Sequence, residues 1–348
     1  PPRSTLFPYT TLFRSYGPEG QFVAHVLAYL IAGHHAGLDN WHGGLNERLA
    51  GEDAQRECRD ALMAAPPQIL APELPLPSLA TVPADQKAST PGSFALWLRM
   101  QFSCLVDADF LDTEAFMDGD RASRRNGFAP LTTLHERYDA YMARLVEAAA
   151  DTPVNRLRAN ILRQCHSKAD HPSGVFTLTV PTGDGKPLAS PAFALRHATA
   201  HDKRRIIYAI PYTSIIEQTH DIFRTVLDDE NVIEHHSNAE LDDRQETARS
   251  RLACENWDAP VIVTTNVQLF ESLFARRTSR CRKLHNLVGS VIVLDEAQLL
   301  PVDFLQPVLD VLRLLVQDYG VTLVLCTATQ PALTHTQGFD ARDRKSVV

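Results

Sequence analysis

The chain of 348 residues is 44% hydrophobic and 22% charged, with a formal net charge of −8; it is long enough for two domains and too acidic to coat nucleic acid as a polycation. Its six scattered cysteines form no CxxC pair, which excludes zinc ribbons and disulfide frameworks and predicts a reducing, cytoplasmic setting. No apolar run nears the roughly 20 residues of a membrane span and no signal-peptide pattern opens the chain, so no membrane partner is expected.

Residues 1–15, PPRSTLFPYTTLFRS, resemble translated sequencing-adaptor sequence, as does the terminal DRKSVV within 338–348. Both are set aside as non-native tails, which would make the chain a fragment of a longer protein. From Gly20 the pattern is helical, with Phe22, Val23, Val26, Leu27, Leu30 and Ile31 at helix spacing. His25 reads as a residue of that helix. It runs into Gly33-His34-His35-Ala36-Gly37, where adjacent histidines are either metal ligands or an ordinary polar loop pair. Pro66 to Pro91 holds seven prolines and reads as a loop or insertion. A second helix, Phe94 to Phe110, ends near Asp107 and Asp109. Buried carboxylates need a partner or a metal; at a solvated helix end they need neither. Tyr138 to Cys165 is helical, with a break at Asp151-Thr152-Pro153, and carries Gln164, which is either an adenine reader or a surface helix residue.

The stretch FTLTVPTGDGKPLAS follows. A β-prone run, Phe176 to Val180, leads into the turn Thr182, Gly183, Asp184, Gly185 and Lys186, and an apolar helix pattern starts at Leu188. Strand, glycine turn, lysine and helix have the layout of a phosphate-binding loop, or else of an ordinary strand–turn–helix with a surface lysine. Backbone N–H groups and the helix N-terminus face the anion together. Lys186 would reach the β- and γ-phosphates of ATP. Pro187 stands where a hydroxyl should hold Mg²⁺, and it brings neither that hydroxyl nor an N–H. Weakened nucleotide binding and still weaker hydrolysis are expected.

Beyond the loop, strands at 205–210, 231–234, 260–264, 290–294 and 322–326 alternate with helical patterns near 213–227, 239–253, 266–276 and 302–317. Such alternation predicts a parallel sheet covered on both faces, with ligands at the carboxyl ends of its strands. VIVLDEAQLLP places Asp295 and Glu296 at one such end. An ATPase needs this pair, Asp295 to hold Mg²⁺ and Glu296 to polarise the attacking water; alone it could equally be an acidic strand-end turn, a reading that a phosphate loop about a hundred residues upstream disfavours. Leu325-Cys326-Thr327-Ala328-Thr329 is a further apolar strand ending in hydroxyls. The run Arg276, Arg277, Arg280, Arg282 and Lys283 is either a strand path or a solvated basic surface.

A PTGxGK loop, DEAQ and TAT in this order resemble the first RecA-like domain of superfamily-two helicases. Thr327 and Thr329 match the motif that couples hydrolysis to strand movement. The segments IIYAIPYTSIIEQT, EHHSN and TTNVQLFESLF resemble that group's nucleic-acid motifs. They mark Pro211, Tyr212, Thr213, Ser237, Asn238, Thr265 and Asn266 as backbone-gripping residues, although Thr213, Ser237 and Thr265 would equally serve as helix caps. The wording LTVPTGxGKxLAS, PYTSIIEQT, EHHSN and VLDEAQLLP, with LIAGHHAGLDNW and SCLVDADFLDTE upstream, is similar to one family in particular. That family is the CRISPR-associated helicase–nuclease of type I interference systems.

The resemblance implies an α/β RecA-like parallel sheet domain over 136–337, preceded by an all-α partial HD-type metal nuclease domain over 16–135. It implies a divalent transition metal on His34, His35 and Asp109, with Asp107 the weaker match. Its partners would be single-stranded DNA and an RNA-guided surveillance complex. The implied function is ATP-driven 3′-to-5′ unwinding and cutting of foreign DNA in antiviral defence. The family's earlier nuclease motifs and second RecA-like domain have no counterpart here, and Pro187 and Asp184 replace a threonine and a glycine. Weak metal binding and no useful turnover by this chain alone are therefore expected. Two other readings remain open, a stand-alone DExx-box RNA-remodelling ATPase and an inert nucleotide- or nucleic-acid-binding fragment.

Overall fold

The computed structural model describes residues 26–40, 43–44, 47, 51–64, 92–180, 186–236, 248–327 and 344–346. The regular elements ahead of Leu131 are helical: α1 over 26–33, α2 over Glu52–Ala64 and α3 over Ser93–Met117, followed by a short turn at Gly119–Ser123. Helices α4 (Leu131–Glu147) and α5 (Pro153–Ala169) come next. The expected break separates them for a local reason. Thr152 accepts a hydrogen bond from the Asn155 N–H at 3.2 Å, and Pro153 occupies the first helical position, where its missing N–H costs nothing.

Strand β1 (Val175–Thr179) leads to α6 (Lys186–Ala200), β2 (Arg205–Ile210), α7 (Thr213–Leu227), β3 (Val232–His235) and α8 (Ala248–Asn256). Then come β4 (Val261–Thr265), α9 (Asn266–Phe274), β5 (Ser290–Leu294), α10 (Leu305–Asp318), β6 (Thr322–Thr327) and β7 (Arg344–Ser346). The seven strands form one parallel sheet in the order β3-β4-β2-β5-β6-β1-β7. The tail strand β7, set aside on sequence grounds, pairs with the otherwise free edge of β1; unpaired edge N–H and C=O groups accept any extended segment.

Every residue of β2, β4, β5 and β6 is buried, as continuous β-branched runs require of a two-faced sheet. The period of two sorts them. Tyr208, Val263, Val293 and Val324 face one core with Phe193 of α6 and Leu134 of α4. Ile207, Ile262, Ile292 and Leu323 face the other with Leu312 of α10 and Leu273 of α9. Helix α3 is not separate from this body, since Leu96 and Met100 belong to the second core. A third, small cluster joins Val26, Leu30 and Leu38 to Phe102 and Val106 of α3, and Cys281 from beyond α9 completes it.

Candidate functional sites at the sheet edge and in the helical cleft

The strand order divides the carboxyl edge into two halves. Pro211 and Tyr212 follow β2, and Thr265 and Asn266 end β4 and open α9. Lys186 opens α6 after β1, Asp295 and Glu296 follow β5, and Thr327 closes β6. The segments expected to grip nucleic acid thus end β3, β4 and β2, and those expected to serve ATP end β5, β6 and β1. Thr182, Gly183, Asp184, Gly185, Ser237, Asn238, Thr329 and His25 lie outside the described residues, and Lys186 and Thr213 are described by their backbone alone.

On the nucleotide half, Thr179 pairs with Thr327, and the Val180 N–H donates to the Thr327 carbonyl at 3.2 Å. The end of β1 is thereby fixed beside the end of β6. Two contacts aim the start of α6. The Tyr138 hydroxyl donates to the Leu188 carbonyl, and Ser190, 2% exposed, hydrogen-bonds the Tyr208 hydroxyl. Further along, the buried His197 bridges the Ala169 carbonyl at 2.8 Å and the Thr322 hydroxyl at 2.9 Å. Burial, with Cys326 and Asp295 nearby, holds the Tyr208 hydroxyl protonated well beyond its usual range. Pro187 is exposed in the first turn of α6.

Beyond β5 the Asp295 N–H donates to the Ala209 carbonyl at 2.9 Å, and an Asp295 carboxylate oxygen accepts from the Glu296 N–H at 2.9 Å. Glu296 has φ 47° and ψ 51°, a left-handed conformation that costs a residue with a side chain about 1–3 kcal/mol and gathers at functional sites. Gln298 donates to the Glu296 carboxylate at 2.5 Å.

On the nucleic-acid half, Tyr212 is 53% exposed. Thr265 caps α9 by accepting from the Gln268 N–H at 3.0 Å. Asn266 is 6% exposed, and its side-chain oxygen is buried without a hydrogen-bond partner, a costly arrangement unless something binds there.

The EHHSN segment is largely structural up to His236. His235 is buried and accepts from the Trp257 indole N–H at 3.0 Å. Burial, with Lys283 nearby, pushes its pKa down to about 3. Glu234 receives His220 at 3.0 Å and His236 at 2.6 Å. Burial raises the Glu234 pKa, but these two bonds outweigh it and hold the carboxyl at about 2. Both folded pKa values lie below their unfolded ones. The unfolded chain therefore takes up His235's proton below about 6.5 and Glu234's below about 4.5, while the folded chain resists. Stability should be intact at neutral pH and decline below about pH 6.5, at up to about 1.4 kcal/mol per pH unit for each proton. Melting curves between pH 7.5 and 5 check this, and a flat profile would contradict it.

The second site lies in an open cleft of about 510 Å³ on the helical side. Ligand atoms of His34, His35 and Asp109 lie within 4.8 Å of one another. The histidines sit in the turn that ends α1, where Gly37 adopts φ +93°, a conformation that glycine takes without a Cβ clash. His34 Nδ1 contacts the Ile31 carbonyl; because a carbonyl only accepts, Nδ1 carries the proton and Nε2 keeps its lone pair. Two imidazoles and a carboxylate suit a divalent transition ion.

Asp107 plays a different part. It is 3% exposed and accepts from Arg282 Nε at 2.8 Å and from Asn256 at 3.0 Å. The basic run is likewise not a uniform solvated surface. Arg282 and Lys283 are buried, and Lys283 lies 5.9 Å from the Trp257 ring centre. Arg280 pairs with Glu271. Glu114, Arg121, Arg125 and Glu255 form an ion network across the same interface, with no sequence motif to announce it. Hydrogen bonds from Arg125 hold the Glu114 carboxyl below its usual range.

Residues 160–336, half of the chain, match the family model for DEAD/DEAH box helicases, and the chain belongs to that family. Its members use ATP with Mg²⁺, so the fold is that of an ATP-dependent helicase domain. Within that class the sequence is Cas3-like. Over 183 residues it is 35% identical to the CRISPR-associated nuclease/helicase Cas3 of Haloferax volcanii, covering 46% of this chain and 19% of that protein. Crystal structures of T. fusca Cas3 with AMPPNP and with ATP superpose with a TM-score of 0.56 at 18% identity, over 93% of this chain and 38% of theirs. At that identity the likeness speaks for the fold alone. No helix among the described residues is long and apolar enough to cross a membrane.

Proposed function

We propose that the chain carries the first RecA-like unit, over 136–337, and part of an HD-type nuclease, over 16–135, of a Cas3-like protein that unwinds and cuts DNA in CRISPR antiviral defence. The observation that supports this best is the divided carboxyl edge, where the β1 and β5 ends flank β6. In this reading Lys186 and the turn Thr182–Gly185 bind the ATP phosphates. Asp295 holds Mg²⁺, and Glu296 orients the attacking water. Tyr212, Thr265 and Asn266, with Pro211, Thr213, Ser237 and Asn238, grip a single strand along its backbone. Thr327 and Thr329 link the two halves. His34, His35 and Asp109 hold a divalent transition ion, which would supply Lewis acidity toward a phosphodiester. An RNA-guided surveillance complex would be the partner that delivers the DNA.

The likeness to a nuclease/helicase and the three-residue cluster favour this over a stand-alone RNA-remodelling ATPase. Titration calorimetry with ATP tests the nucleotide half. Mg²⁺-dependent binding is expected, weakened at least tenfold by Asp295→Ala and by Lys186→Ala. Binding that is indifferent to both substitutions would overturn the assignment, and no binding at all would favour the inert fragment.

A further inference from the structure

The two carriers of the candidate metal ligands meet each other through Phe102, Gly33 and Leu38. These contacts are apolar and hence non-directional. One segment, residues 276–285, makes directional contacts to both carriers and belongs to the sheet body; Asn256 of α8 and Arg125 hold α3 as well. On the histidine side, the Leu38 N–H donates to the Arg276 carbonyl at 2.9 Å. The backbone approach is so close that a Cβ on Gly37 would come within 2.5 Å of the same carbonyl oxygen.

On the aspartate side, the Ser103 hydroxyl donates to the Cys281 carbonyl at 2.6 Å and accepts from the His285 N–H at 3.0 Å. Arg282 then takes hold of the helix on both sides of Asp109. Its Nε donates to Asp107, and its guanidinium lies 4.5 Å from the centre of the Phe110 ring. Positions 107 and 110 are three apart and share a face of α3, so holding both fixes rotation about the helix axis. That rotation decides where Asp109 points. Glu255, 3.3 Å from Arg282 Nη1, braces the guanidinium from α8, and Arg282 itself lines the cleft.

From this geometry we infer that Arg282 is a positioning residue for the metal cluster, and that the cluster, whose ligands all lie in the first unit, is held in register by contacts from the second. The inference rests on the proposed metal reading and goes beyond it. The separation between the histidine turn and Asp109 is set by the helicase unit, which gives it a direct handle on the nuclease centre.

Cobalt(II) alone, titrated into the full chain and followed by its visible absorption, tests this. His35→Ala is expected to abolish the band. Arg282→Met is expected to weaken cobalt affinity at least tenfold and shift the band, with far-ultraviolet circular dichroism unchanged. Arg282→Lys keeps a charge beside Asp107 but cannot span Asp107, Glu255 and Phe110 at once, so it should not rescue the band. It also decides the matter if the methionine variant does not fold. Wild-type affinity and spectrum in Arg282→Lys, with the band lost in His35→Ala, would overturn the positioning role alone. Cobalt binding that survives His35→Ala would remove the metal reading, and the positioning role with it.

Discussion

Replacing Pro187 with threonine is expected to raise the Mg²⁺-dependent affinity of the chain for ATP tenfold or more. The proline sits one residue after Lys186 in the first turn of α6 and is exposed, so nothing packed against it resists the change. On the proposed reading, threonine would restore a backbone N–H for the phosphates and a hydroxyl for the magnesium. Hydrogen bonds to charged groups contribute about 1.5–3 kcal/mol each, so one good bond already gives a tenfold gain. Loss of proline's preset φ costs little at this position. Pro187→Ala separates the two gains, since it returns the N–H without the hydroxyl. Calorimetry with and without magnesium should place alanine between proline and threonine, with the threonine increment vanishing when magnesium is omitted. Equal affinities for all three would mean that this helix start does not face a nucleotide.

The placement of these loops at one sheet edge is legible because its parts are local. A buried strand announces itself by a β-branched run, and a parallel sheet brings the loops after successive strands to one edge. Motif order alone therefore put Lys186 and Asp295 on the same edge, and β6 between β1 and β5 agrees. The break at Thr152-Pro153 was readable for the same reason, since cap and proline act within four residues.

What stayed hidden is non-local. Arg282 and Lys283 belong to a basic run that looks solvated, yet Asp107, the partner that buries Arg282, is 175 residues away in sequence. No period or spacing encodes such a pairing. EHHSN divides at His236. The side chains of Glu234 and His235 are spent on His220, His236 and Trp257, while Ser237 and Asn238, the two residues expected to grip a strand, lie outside the described residues. The helical cleft stands between these cases. His34, His35 and Asp109 were visible as residue types, but only the packing of α1 on α3 shows that they converge.

Trp257→Ala should be the most destabilising single change in the sheet body. The side chain is wholly buried among Ile233, Ile262 and Leu284. Truncating a buried tryptophan costs about 3–5 kcal/mol, which for a body of this size lowers the melting temperature by roughly 6–20 °C. The tryptophan does more than fill space. Its N–H satisfies His235, which burial keeps neutral, and its ring faces the Lys283 ammonium. Trp257→Phe keeps most of the volume but leaves the His235 acceptor without its donor, at a cost of about 1–3 kcal/mol. The phenylalanine variant should therefore fall between wild type and alanine in thermal melts. It should also flatten part of the acid decline, because an unpaired, less tightly enclosed imidazole protonates more easily in the folded state. A melting temperature for Trp257→Phe equal to that of Trp257→Ala would show that the hydrogen bond, not the packing, dominates. Because Lys283 directly follows the arginine that grips α3, loosening this tryptophan should reach the helical cleft as well, and cobalt affinity in the phenylalanine variant would report how far.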